Sequence, residues 1–258
     1  MVCVALGLAV AAACKPLPSP PDIPQGFDAC TAPSISTMQT WWSDSPFTSV
    51  GVYIGGANRY CAQPNLTRPW VSTVTAQGWK LLPIWFGAQA PCSPRPNHTK
   101  LPTDPFYAFL TGVNEAVAAA NQADALGFTW LAPIYYDMEG YPRGGTCTTA
   151  VQAFTDGWVH QLNLRGYQAG FYSSLCSGIV DQVARLPTAK YVPQAIWIAA
   201  WNNTPNIYGF GNHACPLPDH LWNNHRRVHQ YRGGHDETWG GVTINIDSNA
   251  VDGPTFPL

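Results

Sequence analysis

The sequence predicts an α/β fold, a (β/α)8 TIM-type barrel with irregular later units. Eight short β-prone runs recur along the chain, helical patterns with readable caps separate the earlier runs, and glycines stand where those helices should end. The runs are nearly continuous apolar segments, which is typical of parallel strands covered on both faces. An open doubly wound sheet is the alternative, although no glycine-rich nucleotide-binding motif follows a run.

The chain starts with an apolar run, MVCVALGLAVAAAC, that is shorter than the ~20 residues of a membrane-spanning helix. We interpret residues 1–14 as a signal peptide, since Ala11 and Ala13 give the small-x-small pattern of a cleavage site. Alternatively, Cys14 is the lipid-modified cysteine of a lipoprotein leader and anchors the chain. Residues 15–25 then form a proline-rich linker, and residues 26–258 form the barrel domain.

The first half of the barrel domain yields four predicted strands. An apolar stripe that ends before Gly78 predicts a helix leading into the third strand, and a second stripe before Gly127 predicts a helix leading into the fourth. The repeated order of strand, helix, glycine and strand indicates βαβ units. These four strands are predicted at 26–30, 50–56, 81–87 and 132–139.

The second half yields four more strands. Thr148 or Thr149 can cap a helix whose apolar stripe ends at Gly166, just before the fifth strand. Residues 202–226 are rich in Asn, Pro, Gly and His, so we expect little helix there. The strands are predicted at 167–174, 195–201, 227–232 and 242–247.

Composition restricts the partners of the chain. Charged residues make up 11% of it, against roughly 25% in an average soluble protein, so each carboxylate is individually informative. A formal net charge of −2 provides no attraction to nucleic acid or to an anionic membrane. We expect a monomer with no nucleic-acid partner and no transmembrane span.

Paired acids mark the end of the fourth predicted strand, in IYYDMEGY. Asp137 and Glu139 are two residues apart, so they project from the same side of a strand. Asp28 ends the first predicted strand and Asp247 ends the eighth, and these two strands become neighbours when a barrel closes. The sequence therefore predicts four carboxylates at the rim where active sites of such barrels form.

Close carboxylates split their proton affinities, as glycoside cleavage requires. We assign Glu139 as the general acid and Asp137 as the carboxylate that orients or stabilises an attacking N-acetyl group, with Asp28 and Asp247 tuning both. The alternative is that Asp137 and Glu139 are solvated residues at a strand-to-loop junction, or that one of them caps the next helix. Tyr172 and Trp201 join the site as provisional sugar-binding residues because flat amphipathic rings stack on sugars.

No metal ligand set and no cofactor motif stands out. His225 and His229 have helical metal-ligand spacing, but His229 lies in a predicted strand, so we assign neither to a metal. After the leader, six cysteines remain without a C-x-x-C pair, which predicts disulfides formed in an oxidising compartment. Loops that follow adjacent strands favour two bridges, Cys61–Cys92 and Cys147–Cys176.

Several motifs together carry a resemblance to a known family: GFDACTAPS, VGVYIGG, GWKLLPIWFG, IYYDMEGY, GYQAGFYSS, IWIAAWN, and HQYRGG followed by GGVTINIDSN. From about residue 26 to residue 252, the chain resembles the secreted bacterial glycoside hydrolase-like family known as domain of unknown function 1906, which is similar to the family-25 lysozymes. The resemblance implies a TIM-type barrel, export and a role at the cell wall. It also implies site carboxylates at Asp28, Asp137, Glu139 and Asp247.

These observations lead to one main functional prediction and two alternatives. The main prediction is a secreted or cell-surface glycoside hydrolase that cleaves a β-linked, N-acetylated cell-wall polysaccharide, most simply as a muramidase acting on peptidoglycan. The first alternative is a catalytically inactive barrel that binds cell-wall carbohydrate. The second is a metal-dependent hydrolase that uses the clustered acids.

Overall fold

The computed structural model describes residues 23–211 and 213–258. The predicted leader at 1–14, its Cys14, and the predicted linker up to residue 22 lie outside the described residues. The first strand opens at Gln25, directly after the proline-rich segment.

The described residues form a closed barrel of eight strands that follow one another in sequence order around the sheet. This confirms the predicted barrel. Near-continuous burial along β2 to β6 explains their unbroken apolar runs, because one face packs on helices and the other fills the barrel interior. The strands are β1 (Gln25–Asp28), β2 (Phe47–Gly55), β3 (Lys80–Trp85), β4 (Pro133–Asp137), β5 (Gln168–Ser174), β6 (Ala195–Ala199), β7 (Arg227–Trp239) and β8 (Val242–Asp252).

The eighth strand corrects the expectation that all strands are parallel. β1 to β7 pair in parallel, whereas β8 runs antiparallel to both β7 and β1. Gly240 and Gly241, both at positive φ, form the two-residue turn between β7 and β8, and so short a turn joins only antiparallel strands. Both strands are also longer than predicted, and the hairpin that they form extends past the barrel rim.

Five α-helices connect the strands within the described residues, together with a short π-helical turn (Leu175–Ile179) that leads into the last of them. The three helices predicted from apolar stripes are present as α2, α3 and α4. Helix α1 was not predicted; it begins after Ser34, whose hydroxyl accepts the Thr37 N–H at 3.1 Å. The helices are α1 (Ile35–Asp44), α2 (Arg68–Ala76), α3 (Pro105–Leu126), α4 (Gly145–Leu164) and α5 (Val180–Arg185).

The start of α4 differs from the prediction. Gly144 is the N-cap, so neither Thr148 nor Thr149 caps the helix. The Thr148 hydroxyl accepts the Gly144 N–H and donates to the Asp181 carboxylate at 2.7 Å, which ties α4 to α5. In the described part of 202–226, no helix forms, as the composition predicted.

Helices α3 and α4 pack closely on one side of the barrel. Glycines at the contact permit this: Gly112 on α3 lies against the carbonyl of Phe154, and Gly157 on α4 lies against the carbonyl of Phe109. The Trp158 indole donates to the Gly170 carbonyl on β5 at 3.2 Å, which joins the helix pair to the sheet. This packing fixes the strands β4 and β5, whose carboxyl ends reach the rim.

Disulfides connect the rim loops in pairs that differ from the predicted ones. The described residues contain the bridges Cys30–Cys61, Cys92–Cys147 and Cys176–Cys215, so the predicted bridges Cys61–Cys92 and Cys147–Cys176 are wrong. Bridges do join segments that follow neighbouring strands, but the pairing starts with β1 and β2 rather than with β2 and β3. Sequence order alone allows the bridges to start with β1 and β2 or with β2 and β3, and only the geometry of the loops decides between the two sets.

Within residues 23–211 and 213–258, no helix combines the length and the hydropathy needed to cross a membrane.

Candidate active site

The four predicted carboxylates meet in one cleft at the barrel rim. Asp28 is the last residue of β1, Asp137 is the last residue of β4, and Glu139 follows two residues later. Asp247 lies inside β8, opposite Asp28 in the β1–β8 pairing, so the expectation that it ends its strand is wrong although it reaches the same rim. This first cleft has a volume of about 200 Å³ and is lined by the four acids, Tyr53 and Arg59, among others.

A polar network joins Asp28 to Asp247. The Gln230 amide donates to Oδ2 of both carboxylates at 3.2 Å each, and the Asn249 amide donates to Asp28 Oδ2 at 2.8 Å. Gly234 N–H donates to the other oxygen of Asp247. In addition, the Trp197 indole donates to Asn249 at 2.8 Å, so the aromatic floor of the barrel orients the amide.

Burial decides the protonation of this pair. It raises the pKa of Asp28 to about 8, with the nearby charge of Asp247 adding to the effect and the amide donors opposing it. Burial also raises the pKa of Asp247, against the opposing Gly234 hydrogen bond. The raised pKa of Asp28 therefore favours its protonated form at neutral pH.

Asp137 lies deeper than the sequence suggested, because the residue is only 3% exposed. Burial raises the pKa of its carboxyl well above the usual range, and the charges of Glu139 and Asp28 add to the rise. Its Oδ1 has no hydrogen-bond partner among the described residues. A small enclosed space over Tyr53 and Tyr172 adjoins this carboxyl group.

Gln89 fixes the backbone that carries Asp137 and Glu139. This side chain is fully buried in the loop after β3. Its amide N–H donates to the Asp137 carbonyl at 2.7 Å, and its amide oxygen accepts the Glu139 N–H at 2.8 Å. One side chain thus holds both flanks of the D-x-E segment, which leaves the strand after Asp137.

Glu139 stands where the first cleft meets a larger one. Its carboxylate forms an ion pair with Arg95, with 3.4 Å between Oε2 and Nη2. The second cleft has a volume of about 550 Å³ and a mostly apolar wall. Its lining includes Arg95, Glu139, Tyr172, Trp201, Phe210 and His213.

The two predicted sugar-binding residues both line the second cleft. Tyr172 lies on β5, whereas Trp201 lies two residues beyond the end of β6, so its predicted place within a strand is wrong. The Tyr172 hydroxyl and the Trp201 indole each donate to the Gln230 amide oxygen at 3.0 Å. Gly233 provides room for the Trp201 ring, which remains 65% exposed toward the cleft.

Sequence reasoning missed the neutral and cationic members of the site. Gln230 and Asn249 are buried polar residues on β7 and β8, but these strands carry many other polar residues, so no contrast in the sequence marked the two. Gln89 and Arg95 belong to the long segment between β3 and α3, where no periodic pattern marks a role.

One group of possible metal ligands lies in the described part of the chain. Cys176, His213 and Cys215 bring possible ligand atoms within 4.8 Å of one another, but the two cysteines form a disulfide and are not free to ligate. His229 is buried and its ring nitrogens lie next to the carbonyls of Asn206 and Ala200.

Fold and site together define a glycoside hydrolase-like barrel protein, in which carboxylates gather at the carboxyl ends of barrel strands. The chain belongs to the family described as the Rv2525c-like, glycoside hydrolase-like domain, whose sequence profile matches residues 39–251. This confirms the resemblance found in the sequence. No curated protein matches the chain in sequence.

Solved structures share the fold at low sequence identity. An uncharacterised protein of B. stearothermophilus has a TM-score of 0.58 at 17% identity, over 88% of this chain and 95% of that one. The Tat-secreted protein Rv2525c of Mycobacterium tuberculosis, in complex with L-tartrate, has a TM-score of 0.56 at 12% identity, over 91% and 99%. The spore cortex lytic enzyme SleM of Clostridium perfringens has a TM-score of 0.56 at 16% identity, over 91% and 69%.

Proposed function

We propose that the protein is an exported glycoside hydrolase that cleaves a β-linked, N-acetylated cell-wall polysaccharide, most simply as a muramidase acting on peptidoglycan. Glu139 is the general acid, and Asp137 orients the N-acetyl group of the sugar. Asp28 and Asp247 tune the charge at the cleft, and Tyr172 and Trp201 contact the sugar chain.

The unpaired oxygen of Asp137 is the observation that supports this proposal most strongly. A buried polar atom without a partner is costly, so its persistence at a cleft suggests that a ligand completes it. An acetamido N–H is a neutral donor, and the first cleft, which Asp137 and Tyr53 line, has a volume of about 200 Å³ that can accommodate the group. Binding of this N–H would favour the charged carboxylate and hold the acetamido carbonyl oxygen toward the anomeric carbon.

The reaction then follows from these positions. Glu139 donates a proton to the glycosidic oxygen while the bond to the anomeric carbon breaks, and the acetamido oxygen forms a bond to that carbon in its place. Asp137 stabilises the positive charge on the resulting oxazolinium ring. Glu139 next takes a proton from water, whose oxygen attacks the anomeric carbon, and the ring opens to restore the N-acetyl sugar.

Export and a cell-wall substrate are supported by several findings. Three disulfides within the described residues fit an oxidising compartment. Two structural neighbours are a Tat-secreted protein and a spore cortex lytic enzyme. We infer a monomer that acts outside the cytoplasm, as a free protein or, if Cys14 is lipidated, at the cell surface.

A carbohydrate-binding barrel without turnover is the second candidate. One observation favours it: Arg95 engages the carboxylate that catalysis requires. The aromatic wall around Trp201 would serve a binder equally well.

Release of new reducing ends from purified peptidoglycan tests the proposal. We expect release by the wild-type chain and loss of at least about 100-fold in Glu139→Gln, since general acid catalysis contributes this much. Glu237→Gln is the matched control, because Glu237 lies on the β7–β8 hairpin and bonds to His235 and Trp239 instead of lining either cleft. Equal background release by all three proteins would favour the binder, and loss of activity with a chelator would favour a metal-dependent hydrolase.

A further inference from the structure

The segment between β3 and α3 presents a fixed arginine to the second cleft. Arg95 lies three residues after Cys92, which is bridged to Cys147 on α4. The same segment is closed by backbone hydrogen bonds from Gln89 to Thr99 at 2.9 Å and from Leu101 to Gln89 at 2.8 Å. Arg95 is therefore carried by a braced loop, not by a free one.

The ion pair that Arg95 makes is exposed and easily exchanged. The side chains of Arg95 and Glu139 are 59% and 30% exposed, and the contact is a single one at 3.4 Å. Exposed pairs of this kind contribute little to stability. Among the described residues, Glu139 is the acidic partner found for Arg95, so the guanidinium retains free donors directed at the cleft.

The two clefts that meet at Glu139 differ in charge. Three further carboxyl groups and one arginine, Arg59, line the first, whereas Arg95 and His213 accompany Glu139 in the second. A sugar chain that spans both clefts would place the N-acetylated unit that is cleaved over the acids and its neighbouring units along the second cleft. An anionic unit fits the second cleft, because the guanidinium fork matches a carboxylate in shape and charge.

From this arrangement we infer that Arg95 binds a carboxylate carried by the glycan and, in doing so, releases Glu139. In the free protein the Glu139 carboxylate forms an ion pair with the Arg95 guanidinium. A substrate carboxylate replaces it, which leaves the Glu139 side chain free to turn toward the glycosidic oxygen. Arg95 is thus a positioning and specificity residue. Its binding of a carboxylate stands without the proposed function, whereas the release of Glu139 for catalysis rests on it.

Binding of a sugar that cannot be hydrolysed separates this inference from the question of turnover. The probes are N-acetylmuramic acid, which carries a lactyl carboxylate, and its neutral carboxamide, and neither contains a glycosidic bond. Titrations of the full chain, followed by NMR at the Trp201 indole N–H, give both dissociation constants. We expect the acid to bind about tenfold more tightly than the carboxamide, as one charge-assisted contact provides.

Variants assign the preference to Arg95. Arg95→Gln should remove the preference while leaving carboxamide binding unchanged, and Arg95→Lys should keep part of it because the charge remains. Glu139→Gln should widen the preference, since no internal carboxylate then competes, an effect that a merely structural role of Arg95 would not produce. Equal affinities for the two probes in the wild type, or an unchanged preference in Arg95→Gln, would overturn the inference. Absence of reducing-end release together with an intact preference would refute the proposed hydrolase and leave the anion site standing.

Discussion

Replacing Gln89 by methionine tests how the D-x-E segment is held. Methionine retains the length of the side chain but has no strong donor or acceptor, so the Asp137 carbonyl and the Glu139 N–H both lose their amide partner. A buried backbone group without a partner costs about 1–3 kcal/mol, and two such groups predict a loss of about 2–6 kcal/mol. For a domain of this size, even the lower value lowers the melting temperature by about 4–8 °C.

Activity should fall further than stability alone explains. The two carboxyl groups are placed by the backbone that Gln89 fixes, and a displacement of ~1 Å at reacting groups can cost about 100-fold in rate. We therefore expect Gln89→Met to lose reducing-end release at temperatures where it is still folded.

The assay is urea unfolding together with reducing-end release, compared with a matched substitution. Gln39→Met places the same side chain on the exposed face of α1, where we expect a change within about 0.5 kcal/mol. A loss of less than about 1 kcal/mol in the free energy of unfolding, together with retained activity in Gln89→Met, would refute this reasoning. The two Gln89 hydrogen bonds would then not be what holds the D-x-E segment.

Further predictions concern charge, packing and crosslinks. Because the folded-state pKa of Asp28 is raised, its contribution to stability is complete below its unfolded pKa of about 3.9 and is lost as the pH rises through about 8. Asp28→Asn should therefore flatten a decline of up to about 1.4 kcal/mol per pH unit in urea unfolding between pH 5 and 8, and an unaltered slope would contradict this assignment. Gly112→Ala, usually favourable in a helix, should destabilise by about 1–3 kcal/mol because the new methyl group overlaps the Phe154 carbonyl, and a raised melting temperature would contradict the α3–α4 contact. Removing the Cys92–Cys147 bridge by a double serine substitution should cost about 4 kcal/mol in guanidinium unfolding, as closure of a loop this long predicts, and unchanged stability would contradict the pairing.

Much of the fold could be read from the sequence because apolar runs and helix-ending glycines are local signals. Gly78 and Gly127 do follow the ends of α2 and α3 at positive φ, where a residue without a side chain is favoured. The direction of β8 could have been read from the Gly240–Gly241 turn, but the pairing of the cysteines could not, because it depends on how loops lie in space.

The candidate site was predicted in part, for a similar reason. Carboxylates are rare in this chain, so those at predicted strand ends stood out, and the structure brings them to one rim. Their burial, by contrast, depends on residues far away in sequence: Gln230 and Asn249 are more than 200 positions from Asp28, whose carboxylate they contact. The role of Arg95 was similarly hidden, because only the folded loop after β3 brings it next to Glu139.

Digestion of purified peptidoglycan in ¹⁸O-labelled water, with products read by mass spectrometry, tests the central claim most directly. The account predicts that one ¹⁸O atom enters each new reducing-end sugar, and that Glu139→Gln abolishes this labelling. Products without label at a reducing-end sugar, or label that persists in Glu139→Gln, would contradict the assignment of this cleft as a glycoside hydrolase site.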